Sequence, residues 1–172
     1  EIRLRGFNNF VEKQLLPRFW ELKNTIVSDL GRDNLARILE KEYRILSPSD
    51  YGFHNILKEQ DRMNFVDFEY AGWDDPAKLV CDFWCQPDSN ISTDHGKLFC
   101  RGISDGLGDS TIIERVDKLL PLCRLNWCAI MLNDYFLQQC SELINPELSH
   151  QDHLLGQTEK AINYFCRYIG NV

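Results

Sequence analysis

Apolar residues recur at mostly helical spacing from the start of the chain. Phe7, Phe10, Val11, Leu15, Phe19, Leu22 and Ile26 predict one or two helices over 7–28. Pro17 falls inside that run and must kink the helix or begin a second one, because it lacks the donor a helix interior uses. Gly31 breaks the pattern, and Asp33 is placed to cap a further helix carrying Leu35, Ile38, Leu39 and Leu46. From Ser47 the texture changes: the run SPSDYGFHN is dense in turn formers and reads as a loop. Ile56-Leu57-Lys58 and Phe65-Val66-Asp67-Phe68-Glu69 then read as two short strands around the polar turn 59–64, a small hairpin. Asp74-Asp75-Pro76 starts a helix, with Leu79, Val80, Phe83 and Trp84 turned inward. Residues 86–110, with one Pro and four Gly, read as an irregular connection holding a short helix around 97–103. A long helical pattern over 112–139, interrupted at Pro121, and a last one over 151–169 complete the chain. The fold class this predicts is mainly α with a small β hairpin, an α+β domain.

Composition narrows what such a domain does. The 172 residues fit one domain, and a hydrophobic share of 44% is enough to build a core. No stretch approaches the roughly 18 uncharged apolar residues of a membrane span, and mean hydropathy is −0.35, so no membrane partner is expected. No basic-then-apolar leader follows Glu1, so the chain shows no signal peptide and a cytoplasmic protein is expected. Seven cysteines, odd in number and scattered through apolar segments, read as buried reduced thiols rather than as a disulfide framework or a zinc site.

The net charge of −7 is unevenly placed. Residues 50–94 hold three basic and ten acidic side chains, so this one stretch matches the charge of the whole chain. Such a field repels phosphate backbones and makes nucleic acid an unsuitable partner, while it attracts a metal ion or an amine. A solvated acidic face is the plain alternative.

Within that stretch, Asp50, Asn55, Asp67 and Glu69 are the informative set. Asp50 and Asn55 share one loop, and Asp67 and Glu69 alternate along the second strand, facing one side of the hairpin. Folding back at 59–64 brings residue 67 toward residue 55, with Asp50 close by. Carboxylate and amide oxygens converging in this way suit a hard cation, and a further carboxylate suits removal of a hydroxyl proton. Phosphoryl transfer from ATP needs both.

The segments SPSDYGFHNIL and FVDFEYAGWDDPAKL resemble the catalytic loop and metal-binding strand of the aminoglycoside phosphotransferase and choline kinase family, small-molecule relatives of the protein kinases. The family's loop reads H-x-D-x4-N and its strand D-[FW]-E with a following Asp-Pro turn. The resemblance is sharp over 47–84 and looser toward the C-terminus. It implies a kinase-like C-terminal lobe: 1–46 helical, 47–75 the catalytic loop and metal-binding hairpin, 76–172 a helical substrate-side subdomain. It also implies that Asp50 is the catalytic base, that Asn55 and Asp67 ligate Mg2+, and that ATP is the phosphoryl donor. Glu69 would meet a cationic substrate on which Tyr70 and Trp73 stack. A β-rich nucleotide lobe, for which residues 1–49 offer no Gly-rich strand–turn–strand, would lie outside this chain, and the face it left would invite self-association.

Two departures bear on that expectation. Pro48 stands where the family has a His that buttresses the loop, and Lys78 stands near the place of an Asp that follows the Asp-Pro turn. Both favour a rival reading, a catalytically silent kinase-like module that uses its acidic cleft for binding. Taken singly, Asp50 and Asn55 also read as turn formers, His54 as a satisfied loop histidine, and His150 with His153 as helix-end solvation. Asp74 and Asp75 read as a helix cap. Trp20, Trp84 and Trp127 read as core, and Trp73 as core or pocket lining.

Overall fold

The computed structural model describes residues 2–35, 37–142 and 151–170, except the side chains of 2–5, 134–142 and 151–154. The chain is mainly helical with two small antiparallel sheets, an α+β architecture. No helix among the described residues is long and apolar enough to cross a membrane. Two compact units divide it: residues 1–29 with 124–172, and residues 30–123.

In the first unit, α1 (Ile2–Phe10) runs through a π turn (Val11–Leu15) into α2 (Leu16–Leu30). The π turn answers the Pro17 question. A proline ring collides with the carbonyl four residues back in an ordinary helix, and the wider turn just upstream lets the helix continue. Leu16 accordingly donates to the Val11 carbonyl, five residues back. Phe7, Phe10 and Leu15 pack against Leu125, Cys128, Met131 and Leu132 of α6 (Thr111–Glu142) and Ala161, Tyr164, Phe165 and Ile169 of the last segment, whose helix α7 spans Gln151–Tyr168. The Phe10 and Phe165 rings meet edge to face at 5.4 Å. The expected apolar stripe is narrower than its sequence: Phe19 is exposed, as is Trp20, which was expected in the core and instead carries Lys23 over its ring at 4.5 Å. His150 and the side chains of Leu154 and His153 lie outside the described residues.

The second unit departs most from expectation. Gly31 adopts a left-handed φ of 73°, and α3 (Arg32–Leu35) ends after one turn. The expected helix through Leu46 does not form. Ile38 and Leu46 are exposed, and Leu46 instead lies in β1 (Ile45–Ser47), paired with Trp73 of β4 (Gly72–Asp74). A 310 turn, Lys41–Tyr43, leads into β1.

The hairpin is present but shifted. β2 (Ile56–Glu59) pairs with β3 (Arg62–Phe65) around a two-residue turn at Gln60 and Asp61, with Gln60 left-handed at φ 52°. Asp67 and Glu69 therefore lie beyond the strand and do not alternate along it. Asp67 is itself left-handed at φ 63°, which ends the extended run.

After β4, Asp75 caps α4 (Pro76–Cys85), its carboxylate accepting the Ala77 N–H at 2.8 Å, with Pro76 at the first turn as expected. Leu79, Val80, Cys81, Phe83, Trp84 and Cys85 are buried. The short helix expected at 97–103 is the fifteen-residue α5 (Thr93–Leu107), capped by Ser92 and closed by Gly108 at φ 66°. Its Gly96 has a packing reason: a Cβ there would stand 2.0 Å from the Trp84 indole. Ile112, Val116 and Leu120 of α6 are buried, and Cys85 donates to the Leu120 carbonyl at 3.9 Å. Among the described cysteines all are free thiols and most are buried, but Cys166 is exposed.

Candidate functional site

The β1–β4 ladder closes residues 48–71 into one excursion, with Ser47 opposite Gly72 at its base. Ser47 is fully buried, and its hydroxyl accepts the Ser49 N–H at 3.2 Å, which steadies Ser49 in a left-handed turn at φ 67°. Asp50 follows. The Asn55 side-chain amide donates to the Asp50 carbonyl at 2.9 Å, and the Asn55 N–H donates to the Gly52 carbonyl at 3.1 Å. Loop 50–55 is thus tied across its own neck.

Asn55 also ties the loop to the acidic segment. Its carbonyl accepts the Val66 N–H at 3.0 Å, which sets Asp67 one residue beyond Asn55's backbone partner. That backbone bond joins residues 55 and 66. Non-glycine residues in the left-handed region cost roughly 1–3 kcal/mol each, and two of the four among the described residues are Ser49 and Asp67.

The Asp50 carboxylate has a partner. His54 Nε2 lies 3.1 Å from Asp50 Oδ2, and the Gln86 side-chain amide lies 3.5 Å from His54 Nδ1. With Gln86 donating to Nδ1, His54 carries its proton on Nε2 and donates to Asp50 Oδ2, and no hydrogen bond from the described residues reaches Oδ1. Gly52 makes room for this: a Cβ there would stand 2.6 Å from His54 Cε1 and 3.1 Å from Gln86 Cγ. His54 reads from sequence as a satisfied loop histidine, and it is satisfied by the very carboxylate expected to do chemistry. Gln86, 32 positions away, carried no signal in the sequence.

Two aromatic loop residues that the sequence reading passed over fix the loop from beneath. Tyr51 stacks on Phe65 at 5.7 Å and on Phe99 at 5.8 Å, and Phe53 meets Phe83 edge to face at 5.4 Å. Burial pushes the Tyr51 hydroxyl above its ordinary pKa. Lys78 is engaged by Asp74 at 3.5 Å and Asp82 at 2.5 Å. Burial pushes the Asp82 carboxyl up to about 6, against the pull of Lys78, and the charges of Asp74 and Asp50 add to that rise. Asp75, besides capping α4, receives Arg115 at 3.1 Å, so its carboxylate is committed to structure.

Glu69 and Tyr70 sit at the tip of a turn closed by the Ala71 N–H on the Phe68 carbonyl at 3.0 Å. A hydrogen bond to Glu69 holds the exposed Tyr70 phenol above its usual pKa. Trp73 is elsewhere. It lines a cavity of about 320 Å3 whose other walls, among the described residues, are Lys41 and Arg44. The described part of that lining thus sets two cations beside the indole expected to stack on a cationic substrate.

Among the described residues no group of three or more His, Cys, Asp and Glu side chains converges as a metal site. Magnesium does not require one, since it takes one or two protein oxygens and fills its shell with phosphates and water. Asn55 and Asp67 offer that donor set: Asn55 spends its amide N–H on Asp50, which leaves its Oδ1 available, and Asp67 supplies a carboxylate. By donor type, an amide oxygen and a carboxylate are oxygens such an ion takes.

No family model matches this chain, and neither a curated protein nor a solved structure matches it.

Proposed function

We propose that this chain carries the base and metal residues of an ATP-dependent phosphotransferase. It would act in the cytoplasm on a hydroxyl of a small, polar, cationic molecule of the aminoglycoside or choline kind, within a kinase-like C-terminal lobe. The observation that carries the reading is the double role of Asn55, whose side chain holds the Asp50 loop at 2.9 Å and whose backbone holds the segment leading to Asp67 at 3.0 Å.

In this reading the acceptor hydroxyl approaches Asp50, whose Oδ1 takes the proton as the oxygen attacks the γ-phosphorus and the bond from that phosphorus to the bridging oxygen breaks, releasing ADP. His54 holds the other oxygen of the same carboxylate, so the base enters the reaction already oriented. Asn55 and Asp67 would hold Mg2+, which would supply neutralisation of charge on the phosphates. Glu69 offers its carboxylate to a cationic acceptor. The nucleotide itself is gripped by a further β-rich lobe that the family resemblance implies.

The two sequence departures weaken this reading less than they first suggest. Support that a His at position 48 would give is supplied here by Ser47 and His54, and Lys78 is tied to Asp74 and Asp82 rather than left in the site. The rival, a silent binding module, keeps the same acidic surface without the reaction. Incubating the complete gene product with radiolabelled ATP, Mg2+ and a panel of hydroxylated amines separates them. Label transferred to a small molecule supports the phosphotransferase; amine binding without transfer supports the module.

A further inference from the structure

Three cysteines of the second unit are grouped where α4 meets α6. Cys81 and Cys85 stand four residues apart on α4, a spacing that puts both on one face of the helix, and both are buried. That face meets α6, where the Cys85 thiol donates to the Leu120 carbonyl at 3.9 Å. Cys123 stands three residues beyond Leu120, on the same side of α6. One turn along each helix from the Cys85 contact, the Cys81 and Cys123 side chains are hydrogen-bonded to each other. Two thiols far apart in sequence thus touch across a helix pair, and the phosphotransferase reading uses neither.

The pair is asymmetric. Cys81 is fully buried, whereas Cys123 is half-buried. The hydrogen bond from Cys81 draws the Cys123 thiol below its ordinary pKa, against burial, with the Lys78 charge assisting and the Asp82 charge opposing. The same bond, with burial, pushes Cys81 up, so Cys81 keeps its proton and donates it. A partly exposed thiol of lowered pKa is the one that a small electrophile meets first. Cys128 shows the contrast: it is buried, gives its thiol to the Ala161 carbonyl at 3.8 Å, and is pushed up to about 12 by burial.

We propose that Cys81 and Cys123 form a redox-active thiol pair, which a low-molecular-weight disulfide converts into a cross-link between α4 and α6. The Cys123 thiolate attacks one sulfur of the small disulfide, whose S–S bond breaks. One half leaves as a thiolate and takes up the proton that Cys123 lost, while the other half stays on Cys123 as a mixed disulfide. The Cys81 sulfur then attacks Cys123 Sγ, and its proton goes to the second departing thiolate. Two protein thiols are oxidised to one disulfide, and the small disulfide is reduced to two thiols. A transient bond of this kind is compatible with a compartment that keeps resting thiols reduced.

The test incubates the folded, reduced protein with excess 2-hydroxyethyl disulfide, alkylates the remaining thiols in denaturant, and maps tryptic peptides by mass. Cleavage after Lys78, Lys97, Lys118 and Arg124 isolates peptides 79–97 and 119–124. These should appear joined, with the link on Cys81 and the alkyl group on Cys85, and dithiothreitol added before alkylation should separate them. Cys123→Ser, a substitution at a half-buried site, should abolish the cross-link and leave Cys81 unoxidised. Cys123 arrested as the mixed disulfide, Cys123 left untouched, a link on Cys85 instead, or a link formed only in denaturant would each overturn the proposal. The readout uses neither ATP nor turnover, so its failure is separable from failure of the phosphotransferase reading.

Discussion

Replacing Gly52 by Ala probes the candidate site without touching a charged group. Gly52 has an extended backbone, φ −160°, that any residue adopts, so the substitution brings no conformational strain. It brings a collision, because the new Cβ would stand 2.6 and 2.7 Å from His54 Cε1 and Nδ1. The cheapest response is for the imidazole to swing out, since its side chain is 39% exposed and has solvent to enter. That forfeits the contacts to Asp50 and Gln86, worth together about 1–2 kcal/mol at a half-exposed site. His54→Ala should cost a similar amount, and Gly52→Ala added to it should cost little more, because the ring that blocked the methyl is gone. Urea denaturation of the wild type, both single variants and the double variant measures the coupling, expected near 1 kcal/mol or above. A Gly52→Ala cost that is the same with and without His54 would refute the idea that Gly52 exists to seat this ring.

Other outcomes follow from the packing and the charges. Gly96→Ala drives a Cβ to within 2.0 Å of the buried Trp84 indole, a ring that cannot step aside, and should cost about 3 kcal/mol by thermal or urea melting; a cost under about 0.5 kcal/mol would contradict the α4–α5 contact. Asp82, raised from 3.8 to about 6 by burial, holds its proton more tightly folded than unfolded. Its contribution is therefore greatest at low pH and is lost as pH rises from about 4 to about 6, by at most about 3 kcal/mol. Stability measured across that window should fall less with rising pH in Asp82→Asn than in the wild type, and identical slopes would exclude the shift. Cys166 should react with an alkylating thiol reagent in the folded protein, whereas Cys81, Cys85 and Cys128, all at or below 1% exposure, should react only on unfolding; mass mapping of the labelled sites decides it.

Where the chain was legible, one local rule sufficed. Asp75 before Pro76 announces a helix start, and the inward set Leu79, Val80, Phe83 and Trp84 follows at helical spacing. Where it misled, a distant partner overrode the local pattern. Leu35, Ile38 and Leu39 carry a helical stripe, yet Leu46 finds Trp73 across a ladder, and Leu35 and Ile38 stay exposed. Alternation in Phe65 to Glu69 mimics a strand until Asp67 turns left-handed. Glycines argued against a long helix at 93–107, although Gly96 is there because Trp84 needs the space. At the site, Asp50 and Asn55 share one loop in the sequence, and the bond between them is local. Gln86 was invisible because its link to His54 exists only after α4 has folded against the loop.

Asp50 as the proton acceptor is the centre of the functional account, and Asp50→Asn in the complete gene product tests it most directly. The substitution preserves shape and the backbone carbonyl that Asn55 holds, while removing the group that takes the proton. Turnover with ATP and an accepted hydroxylated amine should fall by about 10²–10⁴, with Mg·ATP binding nearly unchanged. Turnover that survives the substitution would contradict the account.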